Sequence, residues 1–208
     1  MFWIVIIALL LVSARMARVY KENIPDTLAV SFAGLLMLMY LLAFFRGLKA
    51  IAFVSAIAIV YVLVRMMIDI RRSKSSLAKE LSEYGKLLAD PGVICTGAVT
   101  AFVGFMTRQQ VFTWWDDINY WSSDAKQLFF LNGFPGKYGN VSPEFGDYPP
   151  IPSLAKWLLL QLGGKEYTES LQFLGYFVLC LIFLLPMLAR IQAAVEALNI
   201  KKPYKLKS

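Results

Sequence analysis

Histidine is absent from this chain of 208 residues. That absence excludes Ser–His and Cys–His nucleophile pairs and histidine-ligated zinc or haem. Charge is also scarce: 17% of residues are Asp, Glu, Lys or Arg, against about 25% in soluble domains. Cysteine is limited to Cys95 and Cys180, each inside an apolar run, where both are expected as small buried apolar side chains. There is no internal repeat and no low-complexity linker. Acid–base or metal chemistry therefore has to come from Asp, Glu, Lys, Tyr or the backbone. Apolar residues are what the chain has in quantity, at 58%, with mean hydropathy +0.58. They cluster into long runs rather than spreading along helix stripes.

A membrane span takes about 20 residues, and five such runs predict an all-α integral membrane protein. Residues 1–68 hold three of them. The first, from Met1 to Val12, has no basic residues in front of it. It runs on through Ser13 and Ala14 to Arg15, Arg18 and Lys21, which predicts an uncleaved span rather than a signal peptide. The second runs from about Thr27 to Phe45, with Asp26 as its expected cap. A tight connector, Arg46-Gly47-Leu48-Lys49, leads to the third, from about Ala50 to Met67. There Ala52 and Ala56 have the spacing for close helix contact.

Residues 69–90 are charged, with Leu77, Leu81, Tyr84 and Leu88 on one helical face, which predicts an amphipathic helix on the membrane surface. Asp90-Pro91 is a cap and first-turn proline for the fourth span, within 91–112, and Gly97 and Ala101 give it a small-residue face. The fifth span, about Leu171 to Arg190, lies within 169–208 and ends in a basic tail; Pro186 is a candidate kink. If residue 1 lies outside, the inner segments carry fourteen Lys and Arg and the outer ones seven. The positive-inside rule then places 113–168 outside the cytoplasm, and the C-terminus inside, a multi-pass protein of the cell membrane. Topology also explains the net charge of +7 without nucleic acid.

Segment 113–168 is the one non-membrane stretch rich enough in polar groups to hold a site. Trp114 and Trp115 suit an interface, and Asp116 and Asp117 follow at once. The pattern is helical from there to Asn132-Gly133, with Asp117, Trp121 and Asp124 at i, i+4 and i+7 on one face. A stretch rich in glycine and proline brings Glu144 and Asp147 just ahead of Tyr148-Pro149-Pro150. Ser153 is then the expected cap of a short helix, Leu154 to Leu162, stopped by Gly163-Gly164. It is too short to span, which predicts that it lies in the interface or dips into it. Each feature alone has a plain reading: acids at a span end are commonly solvated, tryptophans form interfacial belts, and Arg108 snorkels outward or holds a phosphate.

In this order, however, an apolar span, WWDD, INYWSSDAK, a Gly/Pro loop, GDYPP and an apolar jaw helix resemble the first extracytoplasmic loop of C-type membrane glycosyltransferases. The likeness is to the bacterial polyprenyl-phosphate-dependent type and covers about residues 92–190. It implies sugar transfer from a polyprenyl-phosphate donor to a glycan, lipid or protein acceptor of the cell envelope. The family's catalytic base falls here on Asp116 or Asp117. A carboxylate must take the proton of a poorly nucleophilic hydroxyl, and Asp117 is favoured because its helical face includes Trp121, to stack on a sugar, and Asp124. The leaving phosphate needs donors, for which Lys126, Lys137 or Arg108 are candidates. Asp147 is the candidate second carboxylate, with Glu144 and Tyr148 beside it as substrate contacts. No cofactor is required by the residues, though a divalent cation held by the acids stays open.

The chain is shorter than members of that family. The expectation is that a membrane partner or second copy completes the enclosure of the lipid donor. Two rival expectations stand beside the transferase. One is a non-catalytic membrane subunit that uses the same loop for binding. The other is a transporter, against which stands the lack of charge near the middle of any span.

Overall fold

The computed structural model describes residues 2–136, 148–164 and 166–197. Among these there is no strand, and the protein is an all-α bundle. Helices α1 (Trp3–Tyr20), α2 (Ile24–Phe44), α3 (Ile51–Ser73) and α8 (Ser170–Ala197) are each long and apolar enough to cross a membrane. Helix α5 (Pro91–Thr107) follows α4 (Leu77–Leu88) after a 60° bend, and only the two together are long and apolar enough to count as a fifth crossing. Loop residues build two further helices, α6 (Ser122–Leu131) and α7 (Ile151–Leu162).

The helix starts follow from local chemistry. Asn23, not Asp26, caps α2: its side-chain oxygen accepts from the Asp26 N–H at 2.8 Å, and its amide donates to the Asp26 carboxylate at 2.8 Å. Pro25 in the first turn leaves the cap at Asn23, and Asp26, three residues on, meets the Asn23 side chain with both its N–H and its carboxylate. At α5 the cap is Asp90, which accepts from the Gly92 and Val93 N–H groups ahead of Pro91. This helix ends at Thr107, short of the expected Phe112, and Arg108 folds back onto it.

Contacts gather at two ends. At one, Arg15 pairs with Asp69, Arg18 pairs with Glu80 and Glu83, and Arg190 reaches Asp26 at 3.9 Å. These pairs turn α4 differently from its apolar pattern. Glu80 and Tyr84 are the buried residues, while Leu77 and Leu81 point outward. A buried carboxylate needs a partner, and Arg18 on α1 is placed to be one.

At the other end the α2–α3 connector holds the loop helix. Asn132, at φ 59°, donates to the Arg46 carbonyl at 2.6 Å and accepts from the Lys49 N–H at 2.8 Å. Phe134 N–H donates to the Ala43 carbonyl at 2.9 Å. A Cβ on Gly133 would lie 2.5 Å from the Arg46 Cα, so only glycine fits here.

The core lies where α7 packs against α8, α6 and α2. Every residue from Ser153 to Gln161 is buried, including Trp157, whose ring meets Phe2 edge-on at 5.7 Å. The expected interfacial jaw helix is instead the most enclosed element. It is apolar nearly all round, so it buries every face rather than one. Its start is also earlier than expected: Pro150 precedes the first turn, and Ser153 is a buried core residue rather than a cap.

The small-residue contacts differ too. Nothing comes within 4 Å of a Cβ added at Gly97, and Ala101 is exposed, whereas Gly104 and Gly175 are where other elements approach. Ala52 is buried as expected, and Ala56 is only partly covered. Cys95 and Cys180, expected to be buried, are both exposed.

Candidate functional site

The loop leaves α5 through Phe112, which is tied to the start of α8. Its N–H donates to the Glu169 carboxylate at 3.0 Å, and its ring stacks on Phe173 at 4.3 Å. The chain then makes one wide π turn, Asp117–Trp121, closed by the Ser122 N–H on the Asp117 carbonyl. Such turns insert an extra residue into a helix and often occur at functional sites. Here it changes which side chains share a face: Asp117 and Trp121 point into a cavity, while Asp124 lies buried behind them.

That cavity has a volume of about 420 Å³ and is lined by Phe112, Asp117, Trp121, Pro149, Pro152, Lys156, Gln172, Phe173 and Tyr176. Four elements meet there: the loop neck, the π turn, the start of α7 and the first turns of α8. The indole of Trp121 lies parallel to the Tyr148 ring at 4.9 Å, so the two form a double-thickness aromatic wall. Lys156, on α7, is 6% exposed, and its ammonium donates to the Trp121 carbonyl at 3.1 Å. An ammonium has three donors, and among the described residues Lys156 makes one hydrogen bond and lies within 4 Å of neither Asp117 nor Asp124, which leaves donors for the cavity it lines.

Electrostatics follow from burial. Desolvation lowers the Lys156 pKa, and the charges of Asp117 and Asp124 oppose that shift. The Asp124 carboxyl is pushed up to about 6 by burial, with the Lys156 charge pulling it back. One of its oxygens has no hydrogen-bond partner among the described residues. Gln172 is fully buried; its amide donates to the Ser122 hydroxyl at 3.0 Å and to the Tyr167 hydroxyl, and its own oxygen is also unsatisfied. Burial pushes the Tyr167 phenol up as well.

The residues expected from sequence divide clearly. Asp117, Trp121 and Tyr148 come together at the cavity, with Asp124 just behind it. Asp116 is exposed and does not line it. Lys126 also points away, its ammonium 5.4 Å above the Tyr167 ring. Arg108 donates to the Phe105 carbonyl at 2.9 Å and covers the Phe105 ring at 4.0 Å, so it lies back on its own helix and does not line the cavity. Glu144, Asp147 and Lys137 lie outside the described residues. Among the described residues, no group of three or more Cys, Asp or Glu could hold a metal ion.

Sequence reasoning missed Lys156 and Gln172. The signal for Lys156 was a single charge in the middle of SLAKWLLLQ, where an ammonium must find a partner or a cavity.

Comparison with family models, with characterised proteins and with solved structures gives no match to this chain. The reading of the cavity therefore rests on its own chemistry. It offers one carboxylate open to a ligand, one buried cation, an aromatic wall and an amide, all at one end of a membrane-crossing bundle.

Proposed function

We propose that the chain is a membrane glycosyltransferase, or the N-terminal part of one. In this reading it transfers a sugar from a polyprenyl-phosphate donor to an envelope acceptor on the extracytoplasmic face. Asp117 takes the proton from the acceptor hydroxyl as the bond to the sugar carbon forms. Lys156 draws the phosphate leaving group by its charge, which is stronger in a site shielded from water. Trp121 backs the sugar ring with its face, and Gln172 meets a hydroxyl with its unsatisfied oxygen.

The observation that carries the reading is the pairing of Asp117 and Lys156 in one aromatic-walled cavity. A hydroxyl acceptor needs the first and an anionic leaving group needs the second. The extracytoplasmic placement is supported by the Lys and Arg asymmetry along the chain.

The test is turnover of a polyprenyl-phosphate sugar by the chain reconstituted in vesicles with an envelope extract as acceptor. Lys156→Gln should lower kcat more than it raises KM, because the phosphate gains charge on leaving. Transfer with unchanged kcat in that variant would remove Lys156 from the chemistry.

A second reading, a non-catalytic subunit, is favoured by one observation. Helix α5 has no buried residue and packs mainly on α8, so one side of it is free to meet a partner. The turnover assay separates the two readings.

A further inference from the structure

Among the described residues, two carboxylates and one ammonium bear on the cavity, and one of the carboxylates has no place in the transfer. Asp117 and Lys156 line it. Asp124 does not: it sits 1% exposed on α6 with one carboxylate oxygen unpartnered among the described residues. A buried carboxylate with so little hydrogen bonding is costly to keep ionised. What favours its charge is the Lys156 ammonium across the α6–α7 contact. Other titratable groups near α6 are Lys126 on its own helix, exposed above Tyr167, then Tyr167 itself, and Asp117 in the π turn. Among the described residues, Lys156 is the charge that bears on Asp124.

Lys156 thus serves two acids at once, with neither in direct contact. An anion arriving in the cavity would be a third claimant on the same charge. A phosphodiester carries one negative charge and accepts hydrogen bonds through its free oxygens, which suits the unspent donors of Lys156. Once it binds, the attraction that held Asp124 ionised is shared with a nearer anion, and the dry environment of Asp124 prevails.

We propose that binding of a phosphodiester headgroup at Lys156 is coupled to uptake of one proton from solvent by Asp124. The inference rests on the phosphate-site reading of the cavity and adds a regulatory property to it. The proton goes to the unpartnered carboxylate oxygen, and no other bond changes. Asp124 is a positioning residue in this scheme: it acts on the ligand only through the charge of Lys156.

The sign follows from linkage. In the free protein burial pushes the Asp124 carboxyl up to about 6, and a bound anion would raise it further. Affinity is therefore greatest below this range and falls as pH rises through it, by at most about tenfold per pH unit for one proton. At still higher pH, once Asp124 is ionised in both states, affinity levels off.

The test uses the full chain in nanodiscs and two probes that keep a single charge across the range. Farnesyl methyl phosphodiester carries a lipid tail, and dimethyl phosphate is the headgroup alone. Binding is followed by calorimetry from about pH 5 to about pH 8, in two buffers of different ionisation enthalpy, so that proton uptake is counted directly. The expected result is weakening with pH and a measurable proton uptake near neutrality in the unmodified chain. Asp124→Asn should bind at all pH values about as tightly as the parent does at low pH, with no uptake, while Asp117→Asn should keep the slope. Tighter binding of the farnesyl probe identifies a lipid headgroup as the source; equal binding of both, with the slope kept, supports the coupling with a free phosphodiester.

Zero proton uptake by a parent that binds would overturn the coupling. So would a slope that survives in Asp124→Asn or disappears in Asp117→Asn. Should Asp124→Asn not fold, the two-buffer count is made on Asp117→Asn, where uptake that persists supports Asp124 as the group that takes the proton and uptake that vanishes overturns the coupling. Absence of phosphodiester binding at any pH would refute the phosphate-site reading itself, and the coupling with it.

Discussion

Replacing Gly175 by alanine should displace Lys156 without altering any side-chain polar group. Gly175 is in the second turn of α8, where that helix crosses α7, and a Cβ built on it lies 2.6 Å from the Lys156 Cα. It would also lie 3.1 Å from the Ala155 carbonyl oxygen and the Lys156 nitrogen. Comfortable carbon–carbon contact is about 3.5–4.0 Å, so the two backbones must separate by roughly 1 Å. Neither neighbour is a flexible side-chain end that can swing aside. Helix α7 is buried along nearly its whole length, and moving it strains its contacts with α2 and α6 as well. Overpacking of this kind costs about 1–3 kcal/mol, or roughly 2–12 °C in Tm for a chain of this size. Movement of about 1 Å at a positioned group can also lower turnover by about 100-fold. Thermal unfolding in nanodiscs and phosphodiester binding are the two readouts, with Gly97→Ala as the reference because nothing lies near its added Cβ. Equal Tm and equal binding in Gly175→Ala and Gly97→Ala would refute the close packing of α7 on α8, and with it the placement of Lys156.

Arg18→Ala should release α4, because Glu80 is 1% exposed and would keep only the Ser75 hydroxyl as a hydrogen-bond partner. Breaking a buried pair from one side costs about 3 kcal/mol, and faster amide exchange confined to 77–88 is the expected signature; unchanged exchange would count against the docking of α4. Cysteine placed at Lys126 or at Ser82, both exposed, should label from opposite sides of sealed vesicles once Cys95 and Cys180 are replaced. Labelling of both from one side would remove the crossing pattern. Ser122 is unsuitable for that purpose, since it is buried against Tyr167 and Gln172.

The spans were legible because long apolar runs have few other destinations in a chain so poor in charge. Asp90-Pro91 and Asn132-Gly133 were legible for a local reason: a cap, a first-turn proline and a left-handed stop act within a few residues. What periodicity could not reveal was the partner of each face. Leu77 and Leu81 made an apolar stripe on α4, yet Arg18, some 60 residues earlier, draws Glu80 inward instead. The short helix α7 was too short to span and therefore read as interfacial. Its nearly all-round apolar surface was the better guide, since such a helix must be enclosed by others. Within the site, Asp117 and Trp121 were found by their spacing, although a π turn rather than a regular helix aligns them. The cation was sought at Lys126, Lys137 or Arg108; Lys126 lies over Tyr167, Arg108 lies back on Phe105 and Lys137 is outside the described residues, while Lys156 was concealed among apolar neighbours.

The central claim is that Asp117, and not its neighbour, is the base of a sugar transfer. Reconstituted vesicles carrying the parent, Asp117→Asn or Asp116→Asn should be compared for transfer from a polyprenyl-phosphate sugar under one set of conditions. A general base contributes a factor of about 10²–10⁴, so Asp117→Asn should lose at least about 100-fold while the exposed Asp116→Asn stays close to the parent. Parental turnover in Asp117→Asn, or no transfer by the parent in any acceptor extract, would contradict the account.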